Sequence, residues 1–285
     1  MSNLKEAIKL EYQKVASDFI YGIKKYCKVE HPKKGKIIFD LFDFQAECLK
    51  QFFTHRYNII LKSRQMGIST LVAAYILFKM LFNENFKVLI IATTQNVAAN
   101  LVRKVQVMNE NLPVWLRGKS VSDNKLQLEL TNGSFVKAVS SSSNSGRSEA
   151  LSLLVIDEAA FIDRFSDIWT AAQMTLATGG DAIVLSTPNG VGNLFHKLYE
   201  TAELDINSEE TKGLEKFNPI KLPWYLHPER DQAWRDQQTA LVGTRQASQE
   251  CLGGNSLITV RNKITGQVKE ISLKDFYEEV NSASL

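Results

Sequence analysis

The chain has 285 residues, of which 44% are hydrophobic, 23% charged and 9% aromatic, and its formal net charge is +3. That balance excludes a disordered, collagen-like or low-complexity polymer and suits one large domain with a small appendage. The mild positive charge permits nucleic-acid binding without demanding it. No apolar run approaches the roughly 18 residues of a membrane span, and the charged N-terminus is not a signal peptide, so a cytoplasmic chain with no membrane partner is expected. Cys27, Cys48 and Cys251 lie far apart, without a CxxC pair. This argues against a disulfide scaffold or zinc knuckle and for a reducing setting.

In chain order, Leu4, Ile8, Tyr12, Val15 and Phe19 recur at helical spacing and predict a helical segment over residues 1–30, broken by Pro-Lys-Lys-Gly at 32–35. Ile37–Phe39 is a short apolar run, and Phe42 opens a helix to about Thr54. Asn58–Lys62 reads as a strand, followed by the loop Ser63–Gly67 and an apolar helix, Ser69–Phe82. A strand over Lys87–Ala92 and a helix over Thr94–Leu112 come next. Leu126–Leu130 and Phe135–Val139 flank Asn132-Gly133, a hairpin signal. Beyond the polar loop Ser140–Ser148, a buried strand Leu151–Ile156 runs into Asp157-Glu158. A helix over 165–177 and a strand Ala182–Leu185 follow, the latter ending in Ser186-Thr187-Pro188. Strands apolar on both faces, alternating with helices, indicate an α/β fold with a largely parallel sheet and helices on both faces.

Past Glu200 the pattern weakens, although Trp224, Tyr225 and Trp234 suggest a segment packed on the main body. Gly253-Gly254 marks a boundary. The tail alternates as a β-hairpin, with a short helix over Lys274–Val280. The expected divisions are an N-terminal helical segment at 1–35, a core at 36–200, the end of that domain at 201–250, and a small β-rich piece at 251–285.

A strand-to-helix loop leaves backbone N–H groups unpaired at a positive helix end, a ready phosphate site. Lys62-Ser-Arg-Gln-Met-Gly67-Ile-Ser69-Thr70 fits the second half of the P-loop pattern, but its first glycine is absent and Ile68 occupies the lysine position. A plain turn with Arg64 solvated fits equally well. Asp157 and Glu158 end a buried strand, where open α/β sheets bind ligands. Asp157 suits Mg²⁺ held through water, and Glu158 suits polarising a water. A strand ending in solvated acids is the bland alternative. The order of loop, acids and Ser-Thr-Pro strand in one chain favours an NTPase.

Arg64-Gln-Met-Gly-Ile-Ser, Val-Ile-Asp157-Glu158-Ala-Ala-Phe and Leu-Ser186-Thr-Pro188-Asn-Gly resemble the large terminase subunit of tailed bacteriophages over roughly residues 35–250. The resemblance implies a P-loop NTPase-type core that hydrolyses ATP with Mg²⁺. Lys62, Ser63, Arg64, Gln65, Gly67 and Thr70 would line the phosphate cradle, with Ser69 and Asp157 on Mg²⁺ and Glu158 as the catalytic glutamate. Ser186 and Thr187 would sense loss of the γ-phosphate, and Gln45 after Phe44 would read adenine. Many members of the family carry lysine where this chain has Ile68, so Lys62, Arg64 or a neighbouring subunit must supply that charge. Expected partners are double-stranded DNA, the portal and small terminase subunit, and further copies of the chain as a homo-oligomer on the portal, in an infected bacterial host.

Arg147 in the polar loop suits DNA phosphates or a surface loop alike, whereas Arg103, Lys104, Arg117 and Lys119 can neutralise DNA phosphates but are more commonly a solvated face. The four histidines show no metal-ligand spacing, and Cys27 and Cys48 are expected in the core. The tail beginning Cys251-Leu-Gly-Gly-Asn resembles the N-terminal fragment of an atypical split intein, which implies Cys251 as the splicing nucleophile on the Glu250 carbonyl. No Thr-x-x-His block or clustered nuclease acids follow through Leu285. The expected partner is therefore a C-terminal intein fragment fused to the terminase nuclease domain. An ordinary hairpin is the alternative for the tail. A superfamily 2 helicase-like ATPase and a catalytically weak nucleotide- and DNA-binding protein are the alternatives for the whole chain.

Overall fold

In the computed structural model, residues 2–31, 33–141, 150–206, 217–244, 246–247, 257–261 and 266–272 are described. The core is an eight-stranded sheet whose spatial order is β10 (Phe217–Leu222), β3 (Tyr57–Lys62), β9 (Asp181–Ser186), β8 (Leu153–Asp157), β4 (Lys87–Ile91), β7 (Phe135–Val139), β6 (Gln127–Leu130) and β5 (Ser120–Asn124). All pairings from β10 to β7 are parallel. β6 and β5 continue antiparallel, and the Asn132-Gly133 turn, where Gly133 has φ +79°, joins β6 to β7.

The side-chain period of two explains the layers. Ile60, Val88, Ile90, Leu153 and Val155 face one core, packed with α3 (Asp43–Thr54), α4 (Ile68–Phe82) and α5 (Gln95–Asn111). Their sequence neighbours Ile59, Leu89, Ile91, Leu154 and Ile156 face a second core under α6 (Phe165–Leu176) and α7 (Leu194–Ile206). Helix α4 buries residues on every side, from Leu71 to Met80, as a helix apolar all round must.

The N-terminal expectation needs correction. Asp18 accepts from the Tyr21 N–H and starts α2 (Phe19–Tyr26), so that residues 2–26 form two helices, α1 being Ser2–Ser17. Residues Lys28–His31 are not helical. As β1 they pair antiparallel with β2 (Gly35–Ile38). Exposure alternates along β1, a strand pattern, and Gly35 at φ +69° completes the hairpin turn. Two strands also escaped prediction: the polar β5, and β10, whose Pro219 disguises it. Proline is tolerated there because β10 is an outer strand.

The tail hairpin forms as expected, β11 (Leu257–Arg261) pairing antiparallel with β12 (Val268–Ser272). Cys251, Arg147 and the Lys274–Val280 helix lie outside the described residues. Cys27 and Cys48 are buried. Among the described residues, no helix is long and apolar enough to cross a membrane.

Candidate active site

Three neighbouring parallel strands end together. Leu61 of β3 sits in register with Ser186 of β9, and Leu185 of β9 with Asp157 of β8. The next residues, Lys62, Thr187 and Glu158, therefore emerge side by side at the carboxyl edge of the sheet, where such folds hold ligands.

The loop after β3 turns into α4 at Gly67, which has φ +71°. A Cβ there would lie 2.5 Å from Gln45 Nε2, so backbone conformation and packing both require glycine. Gln45 is 2% exposed. Its Nε2 donates to the Met66 carbonyl at 3.0 Å and its Oε1 accepts from the Phe42 N–H at 3.1 Å. In this structure the residue expected to read adenine braces the loop, with both ends of its amide bonded to backbone. Arg230, which sequence reasoning missed, holds the same loop. Its guanidinium donates to the Arg64 carbonyl at 3.0 Å and the Gln65 carbonyl at 3.1 Å, and lies 4.5 Å from the centre of the Trp234 ring.

Asp157 is buried, and its two oxygens accept from Ser69 Oγ at 3.1 Å and from the Glu158 N–H at 3.0 Å. Glu158 itself sits in the left-handed region at φ +53°, a conformation that costs a non-glycine residue energy and persists only where surroundings enforce it. The enforcement is visible. Lys62 Nζ donates to Glu158 Oε1 at 2.8 Å, and Thr187 donates to Oε2 from its N–H at 3.1 Å and its hydroxyl at 3.2 Å. Ser186 Oγ accepts from the Ala160 N–H at 3.1 Å, tying the end of β9 to the turn after the acids.

The pKa values of the two acids shift in opposite directions. Burial acts to raise Glu158, but the Lys62 charge and the bonds from Lys62 and Thr187 outweigh it and hold the carboxyl below its ordinary value. Burial dominates at Asp157 and pushes it up, against the pull of Lys62. A buried carboxylate beside a hydroxyl, both hard oxygen donors, fits a divalent cation such as Mg²⁺, whose charge would relieve that burial.

The remaining predicted residues divide by exposure. Ile68 points into the core at 1% exposed, so the family's lysine position carries no charge here, whereas Lys62, 6% exposed, places its ammonium among the acids. Arg64 and Gln65 are exposed on the loop. Ser63 is fully buried and its Oγ has no hydrogen-bond partner among the described residues, so its side chain lies away from the exposed loop surface. Thr70 accepts from Lys104 Nζ of α5 at 3.1 Å. Lys104 is thus drawn inward rather than solvated. Burial lowers its pKa, with Asp157 opposing and Lys62 reinforcing the shift. A groove of about 880 Å³ between the N-terminal helices and α4, lined by Tyr12, Phe19, Phe53 and Phe82, includes none of these site residues.

Residues 59–260 match the family model described as terminase large subunit, T4likevirus-type, N-terminal. The chain belongs to this family. Its fold is that of phage large terminase ATPase domains. The ATPase domain of the Thermus phage P74-26 large terminase superposes with a TM-score of 0.58 at 21% identity, over 74% of this chain and 92% of that one. The bacteriophage HK97 large terminase gives 0.58 at 18% identity, over 94% of this chain and 51% of that one. The large terminase of the thermophilic bacteriophage D6E, solved in complex with ADP, gives 0.59 at 11% identity, over 77% and 55%. The terminase chain described here thus spans about half the length of these last two relatives.

Proposed function

We propose that residues 36–250 are the ATP-hydrolysing engine of a phage DNA-packaging motor. The observation that carries the reading is the joining of loop to acids, through Ser69 to Asp157 at 3.1 Å and Lys62 to Glu158 at 2.8 Å. On this reading the loop N–H groups and the start of α4 bind the nucleotide phosphates, with Arg64 reaching in from the exposed surface. Lys62 supplies the positive charge that Ile68 does not. Ser69 and Asp157 would hold Mg²⁺, which when bound neutralises phosphate charge. Glu158, kept ionised, orients the attacking water and takes its proton. Thr187, bonded to that same carboxylate, carries the change at the phosphate into β9. Family membership supports double-stranded DNA as the track, the portal and small subunit as partners, and a homo-oligomeric assembly in the bacterial cytoplasm.

Glu158→Gln keeps the shape and removes the base. Steady-state hydrolysis should fall by about 10²-fold or more, with nucleotide affinity within about threefold of the parent by calorimetry. Retained turnover would refute the assignment.

The tail carries a second activity on the same reading. The Cys251 thiol attacks the Glu250 carbonyl, the C–N bond breaks, and the acyl group moves to sulfur as a thioester while the Cys251 amine is released. A nucleophile on a separate C-terminal intein fragment then accepts the acyl group, joining residues 1–250 to a nuclease half. Support comes from a cysteine at the change of texture and the β11–β12 hairpin that follows it. One observation favours an ordinary terminase hairpin: the family match continues past Cys251 to residue 260. Mixing the chain with candidate downstream fragments separates the two. Mass spectrometry should find a ligated product lacking residues 251–285, absent with Cys251→Ala. No ligation with any fragment, or ligation by the mutant, favours the plain hairpin.

A further inference from the structure

Three consecutive loop carbonyls, those of Arg64, Gln65 and Met66, accept hydrogen bonds from side chains outside the loop: two from the forked guanidinium of Arg230 and one from Gln45. In a planar trans peptide the carbonyl of one residue and the N–H of the next point to opposite sides. Holding the Arg64 and Gln65 carbonyls on the guanidinium therefore turns the N–H groups of Gln65 and Met66 away from it, and holding the Met66 carbonyl on Gln45 turns the Gly67 N–H away from that amide. None of the three meets an acceptor among the described residues. Gln65 at φ +56° and Gly67 at φ +71° flank Met66, the alternation that makes a concave nest of N–H groups for an anion.

From this geometry we infer that Arg230 is a positioning residue for nucleotide binding: it sets the peptide planes of the phosphate loop from the segment after β10. The inference rests on the ATPase reading above. Arg230 acts through backbone carbonyls rather than through its charge, and two features mark it as built for this. Its fork spans two successive oxygens, which a lysine ammonium cannot match, and the Trp234 face fixes its plane. Arg230 and Trp234 share one chain segment, so the Arg64 and Gln65 carbonyls are held from residues 230–234 and the Met66 carbonyl from Gln45.

The test uses the full chain with two probes, ATP and inorganic tripolyphosphate, the latter lacking base and sugar. Arg230→Ala should weaken both by the same factor, about tenfold or more, in calorimetry. KM for ATP should rise in parallel, with kcat within about threefold of the parent. Arg230→Lys should behave like Arg230→Ala, because charge without the fork does not set two peptide planes. If Arg230→Ala fails to fold, Trp234→Ala should give a smaller shift in the same direction for both probes. Unchanged tripolyphosphate affinity overturns the inference, and so does full rescue by lysine. If the unaltered protein neither binds nor hydrolyses ATP, the ATPase reading falls and this inference with it. A parent that hydrolyses ATP beside an indifferent Arg230→Ala sinks this inference alone.

Discussion

At the residue scale the loop is governed by Gly67. An alanine there must adopt a left-handed backbone, at about 1–2 kcal/mol, and place its Cβ against Gln45 Nε2. Gln45 would have to release the Met66 carbonyl to make room. Gly67→Ala should therefore lower stability by about 2 kcal/mol and weaken ATP binding disproportionately. Urea unfolding together with calorimetry checks both, and unaltered values for the pair would contradict the constraint. Gly67, Ser69, Asp157, Glu158 and Thr187 were legible in the sequence because each belongs to a short motif at a strand end, where local spacing and sheet register carry the same information. Arg230 and Lys104 were not. Arg230 reaches loop atoms 165 and 166 positions away, and no local period encodes such a contact. Gln45 was legible as a site residue, but its bond to Met66 could not be read from a dipeptide.

Among the elements, the N-terminal pair α1 and α2 shows how one side chain joins two helices. Glu11 of α1 accepts from Tyr26 at 2.6 Å, Tyr21 at 2.7 Å and Lys25 at 2.9 Å, all on α2. These bonds, led by that from Tyr26, lower its pKa to about 2. A carboxyl depressed in the folded state favours folding above its ordinary pKa, and that contribution is lost as pH falls through the folded value. The α1–α2 contact should thus weaken progressively as pH falls below the ordinary glutamate value, with this contribution gone by about pH 2. Carbon NMR titration of the Glu11 carboxyl reads this directly, and a midpoint at the ordinary glutamate value would contradict it. The break between the helices escaped the sequence reading because the apolar spacing runs from Leu4 through Phe19 without interruption. Asp18 acts as a cap there, a role that depends on backbone conformation rather than hydrophobic period. β10 was hidden differently: its proline lowers strand propensity, and an outer strand needs only one hydrogen-bonded flank.

Across the whole molecule, doubly apolar strands such as Leu153–Asp157 determined the architecture, since a strand buried on both faces needs a layer on each. The two cores meet that requirement, α3, α4 and α5 on one side and α6 and α7 on the other. The order of strands was less legible. That β9 lies between the loop strand and the acid strand follows from long crossovers, which leave no local trace. That insertion brings Thr187 against Glu158.

The parallel ladder between β10 and β3 has a mechanical corollary. Its six register pairs end with Leu222 beside Lys62, and the Ser63 N–H then donates to the Leu222 carbonyl at the first residue of the loop. The chain leaving Leu222 returns to the same loop through Arg230. Tension applied to the polypeptide beyond this point would therefore reach residues 63–66 through hydrogen bonds on both flanks of the loop. On the packaging-motor reading proposed above, this ladder would gear the phosphate loop to the chain that follows it.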